Sequence, residues 1–277
     1  RQLSLAELPR ERIFSEFQKL LLKSPRPSIG FELFEPLGIL PFFPEIAALC
    51  GIAQDPVHHP EGDVFRHTLL TLDAAASRLG HVAPEKQLSL MLAALVHDFG
   101  KVLATRQDEA GKITCYAHEH AGIAPARSFL ERLTNQAGLI DEVIALLEYH
   151  LLPGQFYHDR DKIRFGAIRR LARKVDLTLL IQLAEADFRG KLGQGDFAAG
   201  VWLFEQAKEI DVLRGAPRPI LLGRHLIEEL QARPGPHFKV VLDSVYEMQL
   251  DGDVTNLAEA LAAAAALLPA TPVAPLA

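Results

Sequence analysis

An all-α protein is what the sequence predicts, and three observations predict it. Apolar residues recur at i, i+3, i+4 and i+7 in several separate stretches. Strand-like alternation is scarce. Its best case is Lys112-Ile113-Thr114-Cys115-Tyr116, which follows the turn-like Asp108-Glu109-Ala110-Gly111 and reads as a short hairpin or an extended loop at most. Proline and glycine clusters break the chain at intervals that suit helices.

A first helix is expected over about residues 9–23, ended by Ser24-Pro25-Arg26-Pro27. Residues 36–44 read as a proline-containing connection, and 55–62 as a loop rich in proline and histidine. Leu88, Met91, Leu92 and Leu95 mark one amphipathic helix. Ile140, Val143, Ile144 and Leu147 mark another, whose face continues to Leu151. Pro153-Gly154 is expected to close the helix that ends at His150. Leu180, Leu183, Ala184 and Asp187 mark a third apolar face. Residues 215–219 form a boundary before about three C-terminal helices, two of them separated by Pro234-Gly235-Pro236. The end, 261–277, is Ala-rich and then proline-containing, and its last ten residues are expected to fray. The expected organisation is an N-terminal helical lead-in (1–54), a central helical domain (55–214) and a C-terminal helical tail (215–277). No internal repeat is found.

The bulk composition bounds the function. Among 277 residues, 49% are hydrophobic and 23% charged, a globular balance that argues against disorder. The net charge of -6 gives no global pull toward nucleic acid, so any such binding needs a local basic patch. Cys50 and Cys115 are far apart and form no CxxC pattern. A disulfide framework or thiolate zinc site is not expected, and a reducing cytoplasm fits best. No run of apolar residues reaches the roughly 18–20 needed to span a membrane. The chain opens on Arg1-Gln2-Leu3-Ser4, with no apolar secretory core and no methionine, the expectation for a fragment or a processed or engineered product.

The central domain holds an ordered series of potential metal ligands. His67 opens a helix in Val64-Phe65-Arg66-His67-Thr68. His97-Asp98 closes the next, in Val96-His97-Asp98-Phe99-Gly100-Lys101. Asp187 lies on the apolar face of a later helix, beside Ala184, Glu185 and Ala186. His118 and His150 fall between them. Imidazole with carboxylate suits divalent Mn, Fe, Ni or Zn and tolerates Mg. An acid on a buried face is costly unless it is paired, hydrogen-bonded or bound to a metal. Any one of these histidines alone reads as a satisfied core residue, and Asp187 alone as a cap or an arginine partner. The order H…HD…D on separate helices is what points to a cation.

These residues resemble the HD superfamily of metal-dependent phosphohydrolases. More narrowly, the chain is similar to the neck, HD and tail regions of bacterial HD-containing tRNA nucleotidyltransferases. The resemblance rests on His59-Pro60-Glu61-Gly62-Asp63 leading to His67-Thr68, on His97-Asp98-Phe99-Gly100-Lys101, on Ala117-His118-Glu119 with Gly122, and on Glu185-Ala186-Asp187-Phe188-Arg189-Gly190. Residues 8–40 look like the neck and 219–250 like the tail. The resemblance thus implies a helical HD domain between a helical neck and a helical tail. The nucleotide-adding head of that family is not matched. The chain has no Gly-Ser dipeptide, and Asp159-Arg160-Asp161 and Asp251-Gly252-Asp253 have no strand context and are expected to be exposed turns.

The resemblance implies that His67, His97, Asp98 and Asp187 bind one divalent ion. His118 and His150 match positions that hold a second in some relatives, with Asp98 as the bridge. His120 is then an outer or exposed histidine, or a substitute for His118 after a shift of two residues. Lys101 reads equally as a phosphate contact or as a cation at a helix C-terminus. His59 and Glu61 could orient ligands or move a proton, or could belong to an ordinary turn. Arg160, Lys162, Arg164, Arg169, Arg170, Arg173 and Lys174 form a basic cluster, with Arg169/Arg173 and Arg170/Lys174 at i, i+4. It reads either as a surface for substrate phosphates or RNA, or as a solvated face balanced by Asp159, Asp161 and Asp176. The balance favours the second, with Arg164, Arg169 and Arg170 the candidates for substrate contact.

Two functions are therefore expected. The first is a phosphomonoesterase or 2′,3′-cyclic phosphodiesterase acting on nucleotides or RNA ends, with Asp98 and Lys101 in the chemistry. The alternative is a tRNA-binding body and tail with an auxiliary or vestigial HD site. The sequence sets neither the oligomeric state nor the number of ions.

Overall fold

The computed structural model describes residues 7–191 and 195–268, and among them it is all-α apart from one two-stranded hairpin. The fraying expected of the last ten residues falls outside the described ones except at Leu268. The chain divides into two compact units. One takes the described residues of Arg1–Arg160 and Val175–Glu205, the other those of Asp161–Lys174 and Gln206–Ala277.

In the first unit, α1 (Arg10–Lys23) and α2 (Pro27–Glu32) precede α3 (Pro44–Ala47). A proline starts each of α2 and α3, where its missing N–H costs nothing. The apolar pattern predicts no helix at either place, because each is under two turns and too short to show a period. Helix α4 (Val64–Ser77) starts at Asp63, whose carboxylate accepts from the Arg66 N–H at 2.8 Å. The Gly51 N–H donates to the same carboxylate at 2.6 Å, which ties the loop before α4 to the helix start.

Helix α5 (Pro84–Val96) is the centre of this unit, packed by α1, α4, α9 (Ala137–Tyr149) and α12 (Leu177–Gly190). Its sequence suggests one amphipathic stripe. In the structure every residue from Ser89 to Lys101 is buried, because neighbours close on all sides. The segment Pro84–Ala104 is long and apolar enough to cross a membrane by length and composition, yet most of it lies inside this core.

Beyond α6 (Lys101–Ala104), β1 (Arg106–Gln107) pairs antiparallel with β2 (Ile113–Thr114), the short hairpin expected. Then come α7 (His118–Ala121), α8 (Ile123–Leu133), α9 and α10 (Leu152–His158). The helix expected to end at His150 does so, with His150 as the C-cap of α9, and a new helix that the sequence does not foresee begins two residues later. Pro153 sits at the start of α10, where its fixed φ favours a new first turn. Five phenylalanines bind α1 and α2 to this core. Phe17 meets Phe31, Phe43 and Phe129 at ring distances of 6.0, 5.0 and 6.1 Å, and Phe129 meets Phe99 at 5.5 Å. Phe99 follows Asp98 directly, so this cluster supports the His-Asp pair from beneath.

The second unit contains α11 (Phe165–Ala172), α14 (Gly223–Glu228), α15 (His237–Asp251) and α16 (Leu257–Leu267). Its core is Leu221, Leu226, Val241, Val245, Val254, Ala260 and Ala264. Helix α13 (Ala198–Glu209) runs from one unit into the other. The three helices expected after residue 219 are present. Both Asp-x-Asp pairs lie outside strands, Asp159 and Asp161 exposed in a turn and Asp251 exposed at the end of α15.

Candidate metal centre

Helix packing brings the ligand series together. Gly190 allows α12 to lie against α4, since a Cβ there would overlap Thr71. That close approach sets Asp187 on α12 against His67 on α4. His97 ends α5 and Asp98 follows it. His118 starts α7 after Ala117, which adopts φ 56, a conformation unusual for a residue with a side chain. Gly100 and Gly122 meet backbone to backbone, and a Cβ on Gly100 would overlap the His118 carbonyl. His150 caps α9.

The six side chains are all buried: His67, His97, Asp98, His118, His150 and Asp187. His67 Nε2 lies 2.9 Å from Asp187 Oδ1 and 3.6 Å from Asp98 Oδ2. His97 Nε2 lies 3.3 Å from Asp98 Oδ2 and 3.9 Å from Asp187 Oδ1. On its other side Asp98 presents Oδ1 to His118 Nε2 at 3.3 Å. Among the described residues potential ligand atoms fall into three groups, His67, His97 and Asp187, then Asp98, His118 and His150, and then His59, Glu61 and His67, each with atoms within 4.8 Å of one another.

The far ring nitrogen of each histidine is fixed from behind. His97 Nδ1–H donates to the Ala94 carbonyl at 2.9 Å, His118 Nδ1–H to Cys115 at 2.9 Å, and His150 Nδ1–H to Leu147 at 2.6 Å. His67 Nδ1–H donates to Glu61 Oε1 at 2.8 Å. Each ring is thereby anchored at Nδ1 with Nε2 facing the interior, the arrangement that orients metal-ligating imidazoles, and His67 Nε2 meets the Asp187 carboxylate there. His97 Nε2 and His118 Nε2 have no hydrogen-bond partner although buried. Buried polar atoms are rarely left so. A divalent cation fits this donor set: it would satisfy both orphaned nitrogens and offset two adjacent carboxylates.

The electrostatics agree. Burial alone would raise the Asp98 carboxyl, but His97 and Lys101 hold it well below the usual range. Asp187 is likewise held down, against burial, by Lys191 and His67. Burial would lower His118, yet the Asp98 carboxylate pushes it up to about 10. Burial, with His97 and His118 beside it, drops His150 to about 3, so its ring is neutral.

The remaining candidates are placed as follows. Lys101 Nζ stands 2.7 Å from Asp98 Oδ2 and donates to Gln54 Oε1 at 2.8 Å. Glu61 links His67 to His59, whose Nδ1–H donates to the same Oε1 at 2.8 Å. Burial is the main cause that takes His59 down to about 4. His120 is exposed, with Nε2 3.8 Å from Glu119 Oε1, while His118 is the buried member of that pair. Arg164, Arg169 and Arg170 belong to the second unit. Arg170 pairs there with Glu247 at 2.7 Å and with Asp251 at 2.6 Å, and Arg169 donates to the Leu250 carbonyl at 2.9 Å. The cluster's charge is thus met from α15, not only by the sequence-adjacent aspartates.

Sequence reasoning missed Lys191, whose Nζ lies 3.2 Å from Asp187 Oδ2. The i, i+4 spacing from Asp187 was the available signal. It also missed Thr71, with Oγ1 3.4 Å from His67 Nε2, and Gln54, neither of which carries a motif.

Residues 64–187 match the family model described as "HD domain". This chain carries an HD domain. Ahead of it, residues 2–50 match the model described as "Probable RNA and SrmB- binding site of polymerase A". Similar proteins include a "Multifunctional CCA protein" of Actinobacillus pleuropneumoniae, 34% identical over 223 residues, covering 75% of this chain and 51% of the relative. The "Multifunctional CCA protein" of Pasteurella multocida is 30% identical over 221 residues, covering 75% and 50%. The "CC-adding tRNA nucleotidyltransferase" of Thermus thermophilus is 31% identical over 255 residues, covering 91% and 56%. The HD-containing chain spans about half the length of the curated relatives it matches, and the likeness to HD-containing tRNA nucleotidyltransferases reaches past the HD domain to the N-terminal helices.

Proposed function

We propose that this chain is the RNA-engaging body of a tRNA nucleotidyltransferase-like protein, and that its HD site is a metal-dependent phosphohydrolase centre acting on nucleotides or RNA ends. The first half draws support from the RNA-binding family match and from relatives named for CC or CCA addition to tRNA. That support puts the tRNA-associated reading ahead of a stand-alone hydrolase. One observation carries the second half. Four histidines direct Nε2 inward around Asp98 and Asp187, and two of those nitrogens have no partner.

His67, His97, Asp98 and Asp187 would hold one divalent ion, and His118, His150 and Asp98 offer a place for another. Mn, Fe, Ni, Zn and Mg all suit these donors. A bound ion supplies Lewis acidity toward a phosphoryl oxygen and an acidified water. The chain's own residues do the rest. Glu61 fixes the His67 ring. Lys101 lines a cleft of about 460 Å³ and places an ammonium for phosphate charge. His59 and His118 line the same cleft, so a phosphoester entering it would reach the cluster at His118. Phosphomonoesters and 2′,3′-cyclic phosphodiesters are the proposed substrates, tRNA the proposed partner and the cytoplasm the proposed compartment. Arg164 and Arg169 remain proposals for RNA-backbone contact, whereas Arg170, also a sequence candidate, is engaged by Glu247 and Asp251 and is the weaker one.

Metal-supplemented turnover of phosphoesters tests the hydrolase. Loss in His97→Ala and Asp98→Ala is expected, and activity surviving both contradicts it. The RNA half predicts tRNA affinity that falls steeply with salt; no binding at low salt removes it.

A further inference from the structure

The cleft beside the ligand cluster has a wall that phosphate recognition does not use. The hairpin of β1 and β2, with the residues that follow it, brings Lys112 and Tyr116 to the same lining as Lys101 and His59. Tyr116 is 81% exposed at this cleft, so its ring is open to a ligand rather than packed in the core.

This wall is built firmly. The Asp108 carboxylate accepts from the Ala110 and Lys112 N–H groups at 3.0 and 2.9 Å, and Gly111 takes the φ of 82 that the turn requires. Next to Tyr116, the Cys115 carbonyl accepts from His118 Nδ1–H at 2.9 Å. One short segment thus positions both a ligand histidine and an exposed phenol ring. The cleft volume, about 460 Å³, lies in the range that holds a small organic ligand, larger than phosphate alone needs. Gln155 and Asp55 add hydrogen-bonding groups suited to ribose hydroxyls or base edges.

We infer that Tyr116 is a nucleobase platform, so that the site takes a nucleoside phosphate: phosphate toward Lys101, base stacked on the Tyr116 ring at the hairpin lip. The inference rests on the metal-centre reading above and adds to it the residue that would hold the base of the substrate. Base–aromatic stacking is sequence-tolerant and accounts for roughly tenfold in affinity.

The test is equilibrium binding of adenosine 3′-monophosphate and of inorganic phosphate to the Mn²⁺-loaded chain. Wild type is expected to prefer the nucleotide by about tenfold or more. Tyr116→Ala should reduce that preference about tenfold, and Tyr116→Phe should restore it. Tyr116 is exposed, so both variants are expected to fold, and equal melting temperatures verify this. A preference unchanged in Tyr116→Ala, or a wild type that binds both ligands equally, overturns the platform while leaving the metal centre intact. Failure of wild type to bind either ligand with metal present overturns both.

Discussion

Glu61 sits behind the ligand cluster and decides how His67 faces it. Its Oε1 accepts from both His67 and His59. Removing the charge of such an outer partner typically costs about 10–100-fold in metal affinity. Glu61→Gln is therefore expected to weaken Mn²⁺ binding by that order without unfolding the chain, as read by competition with a chelating dye. His118 yields a second prediction at this scale. Without metal its pKa is about 10, so it carries a proton at neutral pH. A cation can bind Nε2 only after that proton leaves, so metal uptake at pH 7 releases protons and weakens as pH falls. Calorimetry in buffers of different ionisation enthalpy measures the release, which His118→Gln should diminish. The candidate ligands stand out in the sequence because type and order coincide. Lys191 and Thr71 do not, since an i, i+4 lysine and a helix threonine look ordinary until α12 is docked on α4.

At the scale of elements, close glycine approaches set the ligand spacing. Gly100 lets the segment after Asp98 touch α7, and Gly190 lets α12 touch α4. Gly100→Ala would drive a Cβ into backbone that cannot swing aside. A loss of about 2 kcal/mol is expected, with His118 displaced from Asp98 and metal stoichiometry reduced. Chemical denaturation and metal analysis read the two effects separately. Unchanged stability would mean that the loop relaxes freely. Helices α1, α4, α9 and α12 are visible in the sequence through their apolar periods. Helix α5 is visible too, through Leu88, Met91, Leu92 and Leu95, but a single stripe understates its burial from Ser89 onward, and the break expected after His150 is present while the new helix that Pro153 opens is not foreseen. A proline marks a boundary without saying on which side the helix lies.

The whole molecule combines an HD domain with helices of the RNA-binding type, within a chain of net charge -6. That charge gives no global attraction to RNA, so the RNA contact proposed above would depend on local cations. Arg170 spends its charge on Glu247 and Asp251. Arg170→Ala is accordingly expected to change tRNA affinity by less than about threefold, since its charge is already neutralised in the protein. Filter binding across a salt series measures this. A drop of tenfold or more would assign Arg170 to the RNA surface.

The proposed binding of a cation by His67, His97, Asp98, His118, His150 and Asp187 underlies every step from fold to function. Equilibrium dialysis against Mn²⁺ followed by elemental analysis tests it most directly. At least one ion per chain is expected for wild type, and under the same conditions essentially none for Asp98→Ala. A wild-type chain that retains no metal, or an Asp98→Ala chain that retains as much, would contradict the account.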